Sequence, residues 1–126
     1  MLRITGKALI VASTVLAAAG MAGSPSGPAD FRGAQWIWRP FEPGATLTSL
    51  PAGVHFFRAT VAIPRDAVVE AAELIITADN LFALYLNGHS VGESDPDNNA
   101  WQRPKRYDVA GLLAPGRNVL AVEAVN

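Results

Sequence analysis

Asn87-Gly88 sits between two short runs, 81–86 and 89–91, and this pair constrains the fold more than anything else in the chain. A two-residue hairpin turn that follows strand twist needs positive φ at both central positions, which Asn and Gly adopt at least cost. The flanking runs alternate apolar and mixed residues, the period of a strand with one buried face. The segment therefore predicts an antiparallel hairpin, and with it an all-β architecture.

Further strand candidates follow the same pattern. Residues 54–63 alternate, with His55, Phe57, Ala59, Val61 and Ile63 on one face, and Pro64 closes the run. Residues 72–77 are apolar on both faces, as expected of a central strand. Residues 119–125 form a last apolar strand, preceded by Pro115-Gly116, which fits the centre of a type II turn. In the short run 35–40, Trp36 and Trp38 share one face and Ile37 takes the other. Residues 41–53 and 93–100 read as loops, and 108–113 as a single helical turn with Asp108 as N-cap. About six strands with almost no helix predict an antiparallel sandwich or jelly roll. The chain stops at Asn126, directly after an apolar strand, so the expectation is a sandwich truncated at its C-terminus.

The N-terminus has a different character. Arg3 and Lys7 precede a twelve-residue apolar run, 8–19, followed by small residues. That is the pattern of a secretory signal peptide, expected as a helix within residues 1–22. The run is short against the roughly 20 apolar residues of a spanning helix. Residues 23–33, rich in Gly, Ser and Pro at their start, read as a linker, and 34–126 as one domain. Cleavage after Ala22 would leave eight basic residues against eleven acidic ones, a net charge of −3. Such a balance is no footprint for nucleic acid or an anionic membrane surface. With no cysteine there is no disulfide staple, so a secreted or periplasmic domain must rely on its core.

A longer series of residues carries a family likeness. Trp36-Ile37-Trp38 opens it, Phe56-Phe57-Arg58-Ala59-Thr60-Val61 runs on to Pro64, and Ala72 through Asn80 leads into Tyr85-Leu86-Asn87-Gly88. Trp101, Pro104, Tyr107-Asp108-Val109, Leu112-Leu113 and Pro115 through Glu123 complete it. In order and spacing this resembles the galactose-binding-like β-sandwich beside the catalytic domains of bacterial α-L-rhamnosidases and related glycoside hydrolases. The resemblance implies a jelly-roll fold and an accessory role next to a sugar-processing enzyme. It implies no catalysis by this domain and fixes no ligand.

Three groups of residues are candidates for function. Asp79 and Asn80 lie between two strands, where short polar side chains ordinarily bond the local backbone and shape a turn. In the functional reading they meet sugar hydroxyls at the sandwich end. Trp101 offers a flat platform for a sugar ring if exposed and caps the core if buried. The dominance of large aromatics in cores favours burial, for Trp101 as for Trp36 and Trp38. Glu93, Asp95 and Asp97 are the candidate ligands of a structural Ca²⁺. Asp95, Asp97 and Asn99 have the spacing that opens a calcium loop, but Ala100 and Arg106 stand where Gly and Glu are required, so a solvated acidic loop is the default. His55 and His89 have no metal-ligand spacing. Arg103, Lys105 and Arg106 read as a solvated basic cluster, with contact to a neighbouring domain as the other reading.

An enzyme in its own right is disfavoured. Glycoside hydrolysis needs two carboxyl groups about 5–9.5 Å apart. Three of the four candidates, Glu93, Asp95 and Asp97, share one polar loop, where burial cannot easily raise a pKa. No nucleophile elbow, phosphate loop or metal set is present. Two readings therefore stand: a carbohydrate-binding or accessory module of a secreted hydrolase, whose partners are carbohydrate or a neighbouring catalytic domain, and a purely structural or protein-interaction sandwich without ligand.

Overall fold

The computed structural model describes residues 9–16, 31, 34, 36, 37 and 52–126. Seven strands lie among them: β1 (Leu9–Leu16), β2 (Val54–Ile63), β3 (Ala71–Ala78), β4 (Leu81–Leu86), β5 (His89–Glu93), β6 (Lys105–Asp108) and β7 (Gly116–Val125). They form two antiparallel sheets, one ordered β1-β3-β6 and the other β2-β7-β4-β5. Helical structure among the described residues is limited to two 3-10 turns, Ala100–Gln102 and Ala110–Leu112. No helix among them is long and apolar enough to cross a membrane.

The sheets stack through the faces their alternation dictates. Ala72, Leu74, Ile76 and Ala78 of β3 pack against Phe82, Leu84 and Leu86 of β4 and Leu120 and Val122 of β7. Phe57 of β2 joins them from one side and Val109, Leu112 and Leu113 from another. Ile76 and Leu84 are fully buried. Truncating either to alanine would cost about 2–5 kcal/mol, the transfer energy plus a cavity. β3 also buries Ile75 and Thr77 on its other face, where the Ala100–Gln102 turn packs. The two-sided apolar character of this strand thus matches its central place in the three-stranded sheet.

The hairpin forms as expected. Leu86 pairs with His89, Asn87 takes φ 52° and Gly88 φ 82°. Beyond it, Leu84 faces Gly92 while Tyr85 faces Ser90, so Val91 is the extra residue of a bulge. Gly92 is required there, since a Cβ would lie 2.6 Å from Cζ of Tyr107. The Tyr107 hydroxyl donates to the Glu93 carbonyl at 3.2 Å.

The turn end is held by two asparagines. Asn118, on β7, is fully buried. Its Nδ2 donates to the carbonyls of Ala114 (2.7 Å) and Gly116 (3.3 Å), and its Oδ1 accepts from Ala114 N (2.9 Å) and Asn87 Nδ2 (2.8 Å). Asn87 Nδ2 also reaches the Leu112 carbonyl (2.9 Å), and its Oδ1 accepts from Val119 N (2.8 Å). One cluster therefore ties the β4–β5 turn to the loop entering β7, where Gly116 has φ 95°.

Three expectations need correction. Residues 9–16, expected within a leader helix, form a strand paired antiparallel with β3 from Leu9↔Ala78 to Leu16↔Ala71. The segment is rich in Ile, Val and Thr, which suit a strand, and β3 offers a hydrogen-bonding edge. The rest of residues 1–22, and of 23–33 apart from Phe31, lie outside the described residues. β6 is a strand the sequence pattern did not predict: Lys105-Arg106-Tyr107-Asp108 lacks an apolar alternation, and β3 supplies its ladder. The single turn near 108 is the 3-10 segment Ala110–Leu112, capped at Val109, with Asp108 Oδ1 accepting from Ala110 N at 3.0 Å.

Candidate functional site

The opposite end of the sandwich gathers the β3–β4 corner, the long 94–104 loop and the meeting of β2 with β7. Asp79 and Asn80 form the corner and are half-buried, with a cis peptide between them. Asn80 N donates to the Val125 carbonyl at 2.8 Å, and Gly53 and Asn126 exchange backbone bonds of 3.0 and 3.1 Å beside it. The corner is thus fixed to β7 and to the start of β2.

The loop folds back over β3. Ser94 bonds Phe82 twice: Ser94 N donates to the Phe82 carbonyl (3.0 Å), and its Oγ accepts from Phe82 N (3.1 Å). Asp97 Oδ1 accepts from Asn99 N at 2.8 Å and starts the turn that leads into Ala100–Gln102. Ala100 is buried, and Thr77 Oγ1 donates to the Trp101 carbonyl at 2.7 Å. Thr77 lies two positions before Asp79, so the backbone of Trp101 is anchored beside the Asp79-Asn80 corner.

Trp101 itself is 40% exposed. This corrects the expected burial: the anchor is the carbonyl and the buried neighbour Ala100, which leaves the indole outside. Trp36 is half-buried, Ile37 on the opposite face is exposed, and Trp38 lies outside the described residues. Sequence reasoning missed Thr77, whose role depends on where a loop 24 residues away returns.

The acidic loop is not built as a cation site. Among the described residues no group of three or more His, Asp or Glu side chains converges. Glu93, Asp95 and Asp97 therefore form no ligand set. Asp95 instead receives Lys105 Nζ on Oδ1 (2.6 Å) and Arg103 Nε on Oδ2 (3.3 Å), while Arg103 Nη2 bonds Asp97. Hydrogen bonds from Lys105 and then Arg103 hold the Asp95 carboxyl below its ordinary range. The expected solvated basic cluster is thus divided: Arg103 and Lys105 neutralise the loop, and Arg106 reaches Glu73 at 3.0 Å on a half-buried sheet face. Complementary charges eight and ten positions apart were the available signal.

Chemically, this end offers an exposed aromatic ring beside a polar corner, framed by a loop whose charges are internally paired. A carboxyl held ionised by two cations is the reverse of the raised acid that glycosidic cleavage needs. The arrangement can stack a ring and accept or donate hydrogen bonds.

No family model matches the chain. It is 41% identical over 96 residues to an α-L-rhamnosidase of Streptomyces avermitilis, a match that covers 75% of this chain and 9% of that protein. The crystal structure of Streptomyces avermitilis α-L-rhamnosidase complexed with L-rhamnose aligns with a TM-score of 0.56 at 40% identity, covering 61% of this chain and 8% of that one. The chain spans about a tenth of the relative it matches. It is an all-β sandwich homologous to a small part of an α-L-rhamnosidase.

Proposed function

We propose that this chain is a non-catalytic accessory module of a secreted, α-L-rhamnosidase-like glycoside hydrolase, built on a galactose-binding-like sandwich. Its loop end binds carbohydrate through Asp79, Asn80 and Trp101. The observation that carries the reading is the exposed Trp101 ring, anchored by Thr77 next to the Asp79-Asn80 corner. A flat aromatic beside fixed hydrogen-bonding groups suits a pyranose, whose apolar face stacks while its hydroxyls are read at the edge. The relative's complex makes L-rhamnose the first sugar to try. Residues 1–22 act in export in this reading, so the module works outside the cytoplasm.

The test is chemical-shift mapping of the ¹⁵N-labelled protein with methyl α-L-rhamnoside. Perturbations confined to 79–80 and 93–103 are expected. Saturating sugar that moves no resonance there would refute the binding site.

A second reading, a protein-interaction sandwich, has its own observation. The outer face of the four-stranded sheet carries Phe56 at 76% exposure, Val54 at 49% and Tyr85 at 37%. Phe56, Arg58, Tyr85, Ala121 and Glu123 line an open hollow there. Such a face suits a neighbouring catalytic domain. Sugar-independent protection of this face in a larger protein would favour it.

A further inference from the structure

Residues 9–16 carry two readings that exclude each other in time. As sequence they are the apolar core of an export signal, to be cut away; in the fold they are β1, an eight-residue partner of β3. β3 is the most buried strand, with Leu74, Ile75, Ile76, Thr77 and Ala78 all at or below 6% exposure. On its other side β6 pairs with four residues only, Glu73 to Ile76. Removing 1–22 would leave the full β1-side edge of an apolar strand without a ladder partner. Open edges of this kind recruit another strand or aggregate.

We infer that the β1-side edge of β3 is a strand-acceptor site, occupied by residues 9–16 in the precursor and, after export, by an extended apolar segment of the protein that carries this module. Main-chain hydrogen bonds along Ala71–Ala78 supply the affinity, and the antiparallel register seen for β1 sets the length at eight residues. The occupant must be extended, free of proline at ladder positions, and apolar on the face turned to the core. This inference rests on the export reading of residues 1–22.

The experiment uses the full chain, exported by a bacterial host or retained in its cytoplasm. Intact mass reports whether residues 1–22 are removed, and hydrogen exchange reports the amides of Ala71–Ala78. The retained chain should protect this segment. The exported, cleaved chain should exchange there at least about tenfold faster, a local opening of edge amides. A soluble peptide of residues 9–16 flanked by lysines should restore protection, and the same peptide with Val11→Pro should not. A cleaved monomer with unchanged protection and no peptide uptake would overturn the acceptor site. So would a dimer that buries the edge and refuses the peptide. Recovery of uncleaved protein would refute the export reading instead. In that molecule, unchanged exchange in Ala71–Ala78 on Val11→Pro would overturn the pairing itself.

Discussion

The two ends of the sandwich use the same residue chemistry for opposite purposes. At the turn end, Asn87 and Asn118 spend their amide groups on each other and on nearby backbone, and Asn118 is sealed from solvent. At the loop end, Asp79 and Asn80 make a corner that is only half-buried, and the adjacent Trp101 is held by its backbone rather than its ring. A polar group committed internally holds a fold together. A polar group fixed in place yet reachable from solvent can recognise something else.

The comparison predicts unequal responses to mutation. The largest belongs to Asn118→Ala, which strands four polar groups in a buried site and should cost about 3 kcal/mol in chemical denaturation. Asn87→Ala should follow at about 2 kcal/mol, from three lost side-chain bonds and a strained φ of 52°. A loss below about 0.5 kcal/mol in either would break the assignment of the turn end to stability. Gly92→Ala forces the Tyr107 ring to shift and should cost about 1–3 kcal/mol by the same measurement.

Trp101→Ala should change stability by less than about 1 kcal/mol while abolishing sugar binding, the reverse of the asparagine variants. The smallest effect concerns pH. Asp95 is held below its ordinary 3.8 by Lys105 and Arg103, so its contribution is full above that value and fades as pH falls through the folded pKa. Because the group is exposed, the change should be local. An NMR titration should find Asp95 moving up toward 3.8 in Lys105→Ala, and an unmoved midpoint would break the pairing.

Much of the scaffold was legible because its signals are local. Asn87-Gly88 needs only its own φ preferences, and the bounds of β2 and β4 coincide with the alternating runs 54–63 and 81–86. The elements that escaped depend on partners far away in the chain. β6 is polar and four residues long, and exists because β3 pairs with it. β1 has the composition of a leader and becomes a strand only through the β3 edge. At the site, the corner residues were legible as short polar groups between strands, whereas the exposure of Trp101 was not. It follows from the Thr77 bond and from the burial of Ala100 in its place. The pairing of Asp95 with Lys105 and Arg103 similarly turns an apparent cation loop into a closed set of ion pairs.

The decisive measurement is calorimetric titration of L-rhamnose into three folded proteins: the native chain, Trp101→Ala and Asn87→Ala. Heat of binding in the native chain and in Asn87→Ala, with at least a tenfold loss in Trp101→Ala, is the expected result. Equal affinity in all three, or none in the native chain, would contradict the division of labour between the two ends.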